Sequence, residues 1–143
     1  MKYIQQKHKD SFLLRLYKGE DILESLQKFC QHHSNIGAGT IQGIGAVSSA
    51  KIGFFDGKKY QENIFNENLE VLSLIGNIAE NNMVHLHGTF GKANSSCIGG
   101  HIMPGCIVSV TCEIQINVLE PKVSRAEDPS TKLNLLVLPQ EII

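Results

Sequence analysis

The chain has 143 residues, 42% of them hydrophobic, and a formal charge of −1, so one domain with a core that needs neither disulfides nor a structural metal is expected over residues 1–143. Its basic residues are scattered and it contains no arginine-glycine-proline hook, which argues against a nucleic-acid protein. The densest basic group is Lys2, Lys7 and Lys9 with His8; no apolar run follows it and nothing approaches the roughly 20 apolar residues of a membrane span, so the expected location is cytoplasmic.

In chain order, SFLLRLYKG sets Phe12, Leu14 and Leu16 against Leu13, Arg15 and Tyr17, a period-two run that predicts an early strand. The period then changes. EDILESLQKFCQHH carries Ile22, Leu23, Leu26, Phe29 and Cys30 on one helical stripe, with Asp21 and Glu24 spaced as a capping box and Asn35 and Gly37 closing the helix. His32 and His33 at its end suit the helix dipole and are given no catalytic role. The glycine-rich stretch from Ile36 to Tyr60 predicts two strands, and Asp56-Gly57 predicts a type I′ hairpin turn. LEVLSLIGNIA is nearly continuously apolar, as in a strand covered on both faces or lying at a subunit contact.

The second half is more regular. In MVHLHGTF, Val84 and Leu86 point one way and His85 and His87 the other; in CIGGHIM, Ile98 and Ile102 oppose His101 and Met103. After Pro104-Gly105, IVSVTCEIQINV alternates through twelve residues. PKVSRAEDPST reads as a surface loop and KLNLLVL as a last strand. The four cysteines, Cys30, Cys97, Cys106 and Cys112, lack CxxC spacing and read as reduced thiols packed among apolar neighbours. One helix and about seven strands make an α+β domain with an antiparallel sheet or barrel.

Histidines two apart on a strand send both imidazoles to one face, where they can share an ion at about 2.0 to 2.1 Å per Zn–N bond. His101 supplies the third ligand if its strand returns beside the first, and Gly99-Gly100 would let the backbones approach closely. Three neutral imidazoles leave tetrahedral zinc an open position. The competing reading makes His85 and His87 ordinary polar residues on a solvent face, with His101 nearby by chance. Glu113 is the candidate carboxylate, as general base, partner of a ligand histidine or plain solvated residue. Arg125 and Asp128 read as solvated loop charges; Tyr60 and Glu70 stay undecided.

In order, GIGAVSSAKIGFFD, LEVLSLIGNIA, VHLHGTFG, GGHIMPGCIVSVTCEI and SRAEDPSTKLNLLVL resemble the plants-and-prokaryotes-conserved (PPC) domain in its prokaryotic form, over nearly the full length. The resemblance implies a strongly bent antiparallel sheet with one main helix, a homotrimer whose sheets extend one another, and a metal at the His85, His87 and His101 positions. It also implies a fold similar to acetolactate decarboxylase, which holds zinc on three histidines. The function expected is therefore a metal-dependent protein that binds or transforms a small anionic molecule, as a lyase or hydrolase if it is an enzyme. A DNA-binding or transcription-associated regulator and a metal-stabilised structural trimer are the alternatives.

Overall fold

The computed structural model describes residues 1–5 and 10–138, so Lys7, His8 and Lys9 of the basic group lie outside the described residues. Its elements run β1 (Lys2–Gln5), β2 (Ser11–Tyr17), α1 (Ile22–His32), β3 (Ala38–Phe55), β4 (Tyr60–Phe65), β5 (Leu69–Ala79), β6 (Met83–Gly91), β7 (Cys97–Ile102), β8 (Ile107–Val118), β9 (Ser124–Glu127) and β10 (Asn134–Val137). The main sheet has the order β1-β2-β8-β3-β5-β6-β7, with β4 paired to β3 and β7 returning to β3. Every pairing is antiparallel. The expected α+β class, with a bent antiparallel sheet and one main helix, is the fold observed.

The bend comes from β3. Where two strands were expected, the glycine-rich stretch forms one strand of 18 residues. Its register slips against β5 between Gly43 and Gly45, and against β8 between Gly45, Val47 and Ser49. Bulges bend a strand and raise its twist. The first part of β3 therefore pairs with β5 and β8, while the last part pairs with β4 and, through Ile52 and Gly53, with β7. The ring β3-β5-β6-β7 closes on itself.

The core fills the inside of this curve. Phe12, Leu14 and Leu16 of β2, Leu74 and Ile78 of β5, Leu86 and Phe90 of β6 and Ile114 and Ile116 of β8 are buried together with Ile22, Leu26, Phe29 and Cys30 of α1. The helix is fixed at both ends. Asp21 accepts from the Glu24 N–H at 3.0 Å and, through its other oxygen, from the Gly105 N–H at 2.6 Å, tying the cap to the turn before β8. Glu24 pairs instead with Lys28, so only half of the expected capping box forms. The helix stops at His32, and the closure expected from Asn35 and Gly37 is made by His33, whose N–H donates to the Phe29 carbonyl and whose ring stacks on Phe29 at 4.2 Å. A backbone donor and an aromatic contact from His33 replace the glycine signal.

Two loop readings change in the same way. The β3–β4 turn has four residues between Phe55 and Tyr60, with only Gly57 at positive φ, because the Asp56 carboxylate accepts from the Lys58 and Lys59 N–H groups and does the work of a second left-handed residue. The stretch read as a surface loop contains β9, which pairs with β10 in register Arg125↔Leu136. The cysteines are free thiols, and burial pushes Cys30 and Cys106 up to about 11 and Cys112 to about 12; Cys97 is exposed. β5 is covered on one face only within the chain: Leu72 and Ile75 are exposed beside Leu13 and Ile44.

Leu86 links this core to the functional face, since it is buried between two outward-facing histidines. Leu86→Ala is expected to cost about 2–5 kcal/mol through the cavity it leaves. Urea denaturation, with a lowered midpoint and an unchanged slope, checks it.

Candidate metal centre

Two turns set the register of the histidine strands. Between β5 and β6, Glu80, Asn81 and Asn82 form the connection, with Asn81 and Asn82 at φ of 60° and 59°, a conformation that asparagine tolerates better than most side chains. Ala79 then pairs with Met83, so Asn77 faces His85 and Ile75 faces His87. Between β6 and β7, Lys92 and Ser96 close the loop through a 2.9 Å backbone bond, and the Asn94 side chain accepts from Ser96. Gly91 pairs with Cys97, and four residues further along each strand His87 stands opposite His101.

Close backbone approach makes room for the third ring. A Cβ on Gly99 would lie 2.7 Å from the Gly88 carbonyl oxygen, and one on Gly100 2.9 Å from that of Gly53. Residues with side chains would hold β7 away from both neighbours. Gly53, the β3 partner of His101, leaves space that the Tyr60 ring occupies, because a Cβ there would sit 2.7 Å from Tyr60. Tyr60 stacks on His101 with centroids 4.9 Å apart and planes at 29°.

The result is the triplet expected from the spacing. One nitrogen from each of His85, His87 and His101 lies within 4.8 Å of the others, and the His85 and His87 Nε2 atoms are 3.2 Å apart. Two ligands with arms of 2.0 to 2.1 Å at a tetrahedral angle are separated by about 3.3 Å, so this spacing, which also allows a ring-to-ring hydrogen bond, is compatible with a shared metal. His101 Nδ1 is buried and has no hydrogen-bond partner, a state that a buried imidazole nitrogen rarely keeps. The donor set therefore fits a divalent metal.

Electrostatics keeps the rings in the ligating form. Burial, and then the charges of His85 and His87, hold His101 down at about 4; burial, then Arg125 and His87, lower His85. At neutral pH both are unprotonated, which metal binding requires. Arg125 lines the same cavity as Tyr60, His85 and His101, a cleft of about 400 Å³, and donates to Asn77 at 2.5 Å and to the Asn134 carbonyl at 2.7 Å.

The remaining candidates are elsewhere. Glu113, on β8, faces Ile44 of β3, and β3 and β5 separate it from β6; strand spacing of about 4.8 Å puts it roughly 14 Å from His87 across the sheet. It lines a cleft with Leu13, Ile44 and Ile75 and is not part of the histidine group. Asp128 organises its own loop by accepting from Ser130 and Thr131, and those hydrogen bonds lower its pKa. Glu70 lies in a different cleft with Lys18 and Lys92. Arg125, read as a solvated loop charge, instead reaches the histidines because its segment is a strand. Asn77 is a residue the sequence pattern did not single out, although it is the one amide in the mostly apolar LEVLSLIGNIA.

An α+β domain with a ring-closed antiparallel sheet and three converging imidazoles defines the class. The chain belongs to the Plants and Prokaryotes Conserved (PCC) domain family, which its residues 3–120 match, and this is the family that its motifs resemble. A Bacteroides thetaiotaomicron protein provisionally named as DNA-binding is similar at 28% identity and a TM-score of 0.87, over 96% of this chain and 99% of that one. A metal-containing protein from Archaeoglobus fulgidus is 32% identical with a TM-score of 0.78, over 96% and 97% of the two chains. The Synechococcus bifunctional protein GlmU is 32% identical over 119 residues; the chain spans about a fifth of the length of the curated relatives it matches, 82% of itself against 19% of that protein. The likeness to acetolactate decarboxylase from Bacillus subtilis, at 18% identity and a TM-score of 0.51 over 75% and 51% of the chains, is one of fold.

The low pKa of His101 has a thermodynamic consequence. The unfolded ring takes up a proton near its ordinary 6.5, while the folded ring resists until about 4, so metal-free protein loses stability as pH falls through that window and levels off below it. His101→Asn is expected to flatten this slope. Denaturant midpoints of the metal-free proteins between pH 7 and 4 check it, and parallel slopes would contradict it.

Proposed function

We propose that this chain forms a homotrimer whose subunits each hold a divalent metal, zinc by preference, on His85, His87 and His101, and that the site binds or transforms a small anionic molecule. The observation that carries the reading is the convergence of three ring nitrogens within 4.8 Å, with the 3.2 Å separation of the His85 and His87 Nε2 atoms. An all-imidazole donor set suits zinc, and three ligands leave a coordination position for a ligand. The metal would supply Lewis acidity toward a carbonyl or carboxylate group. The chain's own residues supply the rest: Tyr60 covers one face of His101, and Asn77 and Arg125 border His85.

The trimer is supported by the outer face of the sheet, where Leu13, Ile44, Leu72 and Ile75 are exposed and Ile75 keeps 65% of its surface. Contiguous apolar surface of this kind marks interaction sites. Glu113 lies within the same face, so its role as a proton carrier requires a neighbouring subunit's histidines.

A second reading, a DNA-associated regulator, has in its favour the provisional name of the Bacteroides protein. The formal charge of −1 speaks against it. Affinity for DNA that falls steeply with salt would favour this reading over the metal site as the seat of function.

Two measurements test the main reading. Elemental analysis of untagged protein is expected to find about one zinc per chain, and His87→Ala to lose it; equal metal in both proteins would remove the site. Light scattering after size exclusion is expected to give three times the 15.8 kDa chain mass, and Ile75→Asp to shift it toward monomer.

A further inference from the structure

The metal reading leaves one charge without a counterpart. Arg125 makes no ion pair among the described residues, and the cavity it shares with His85 and His101 is lined by no Asp or Glu. Its Nη atoms are held by Asn77 and by the Asn134 carbonyl, which fix the guanidinium plane. Its Nε–H is buried and has no partner. A guanidinium carries five N–H donors, and a buried one left unmade costs free energy unless something accepts it. Loading the neutral histidines with a divalent cation worsens the imbalance, since two positive centres then face one cavity with no protein carboxylate between them. A small external anion would satisfy both.

We propose that Arg125 is the anion-binding arm of the histidine site and that the cavity takes a small carboxylate with an apolar body. This rests on the three-histidine metal reading given above. The carboxylate is chosen by three features. Its planar pair of oxygens matches the guanidinium fork, whose Nη groups keep hydrogens beyond those given to Asn77 and Asn134. The volume of about 400 Å³ limits the ligand to a small molecule. Met83, Val84, Leu133 and Leu135 contribute apolar wall, which suits a short hydrocarbon body and disfavours the strongly hydrated phosphate ion.

Cobalt(II)-loaded protein provides a readout that needs no enzymatic activity, because its visible absorption reports changes in ligation. Wild type is expected to take up cobalt and to change its spectrum saturably on titration with isobutyrate, and with inorganic phosphate only at higher concentration. Arg125→Gln is expected to keep the cobalt spectrum and to bind isobutyrate at least about tenfold more weakly. Arg125→Lys keeps the charge without the fork, and is expected to be weakened about threefold or more; it carries the comparison if Arg125→Gln does not fold. Cobalt uptake with isobutyrate affinity equal in wild type and variants overturns the role of Arg125, as does a wild-type spectrum that isobutyrate leaves unchanged. Tighter binding of phosphate overturns the carboxylate class. Absence of cobalt uptake by wild type is a separate outcome, which refutes the metal reading and this inference with it.

Discussion

The histidine site depends on how closely β7 can lie between β6 and the outer half of β3. Gly99 and Gly100 put backbone where side chains would otherwise hold the strands apart, with carbonyl oxygens of Gly88 and Gly53 at 2.7 and 2.9 Å from the absent Cβ positions. Because β7 is paired on both sides, His101 has no freedom to drift away from His87, its cross-strand partner. Two imidazoles two residues apart on one strand share a face by backbone geometry alone. The third arrives only because the ring of strands closes.

That closure also decides the chemistry of the rings. Burial beneath Tyr60 and against neighbouring imidazoles disfavours a proton on His101, and the guanidinium of Arg125 adds to the effect on His85. The same burial that removes water from the site leaves His101 Nδ1 and Arg125 Nε without protein partners. Buried polar atoms in native proteins are mostly paired, so both are places where a ligand or a metal can bind. One is suited to donate an electron pair and the other a hydrogen, which is the pairing needed by a cation and its counter-anion.

The outer face of the same sheet has a different character. Inside the curve, the alternation of β2, β5 and β8 buries a continuous core with α1; outside it, Leu13, Ile44, Leu72 and Ile75 remain uncovered in the single chain. Glu113 belongs to this outer face and not to the histidine pocket, though both lie on the polar side of their strands. A bent sheet gives one strand face two environments, according to where along the bend a residue falls.

Much was legible in the sequence. The 3.6 period of α1, the alternation of β8 and the HxH of β6 are local properties that backbone geometry converts directly into faces, so the fold class, most of the elements and the histidine triplet could be read from residue order. What the tertiary structure alone decided were the consequences of pairing between distant segments. β3 is one strand instead of two because bulges, not turns, absorb its glycines. The segment holding Arg125 is a strand because β10 lies beside it, which turns a charge that looked solvated into a wall of the cavity. Tyr60 meets His101 across a glycine seven residues before it in sequence and distant from the histidines. Periodicity records which way a side chain points relative to its own backbone; which neighbour it then meets is fixed by long-range register, and no local pattern encodes that.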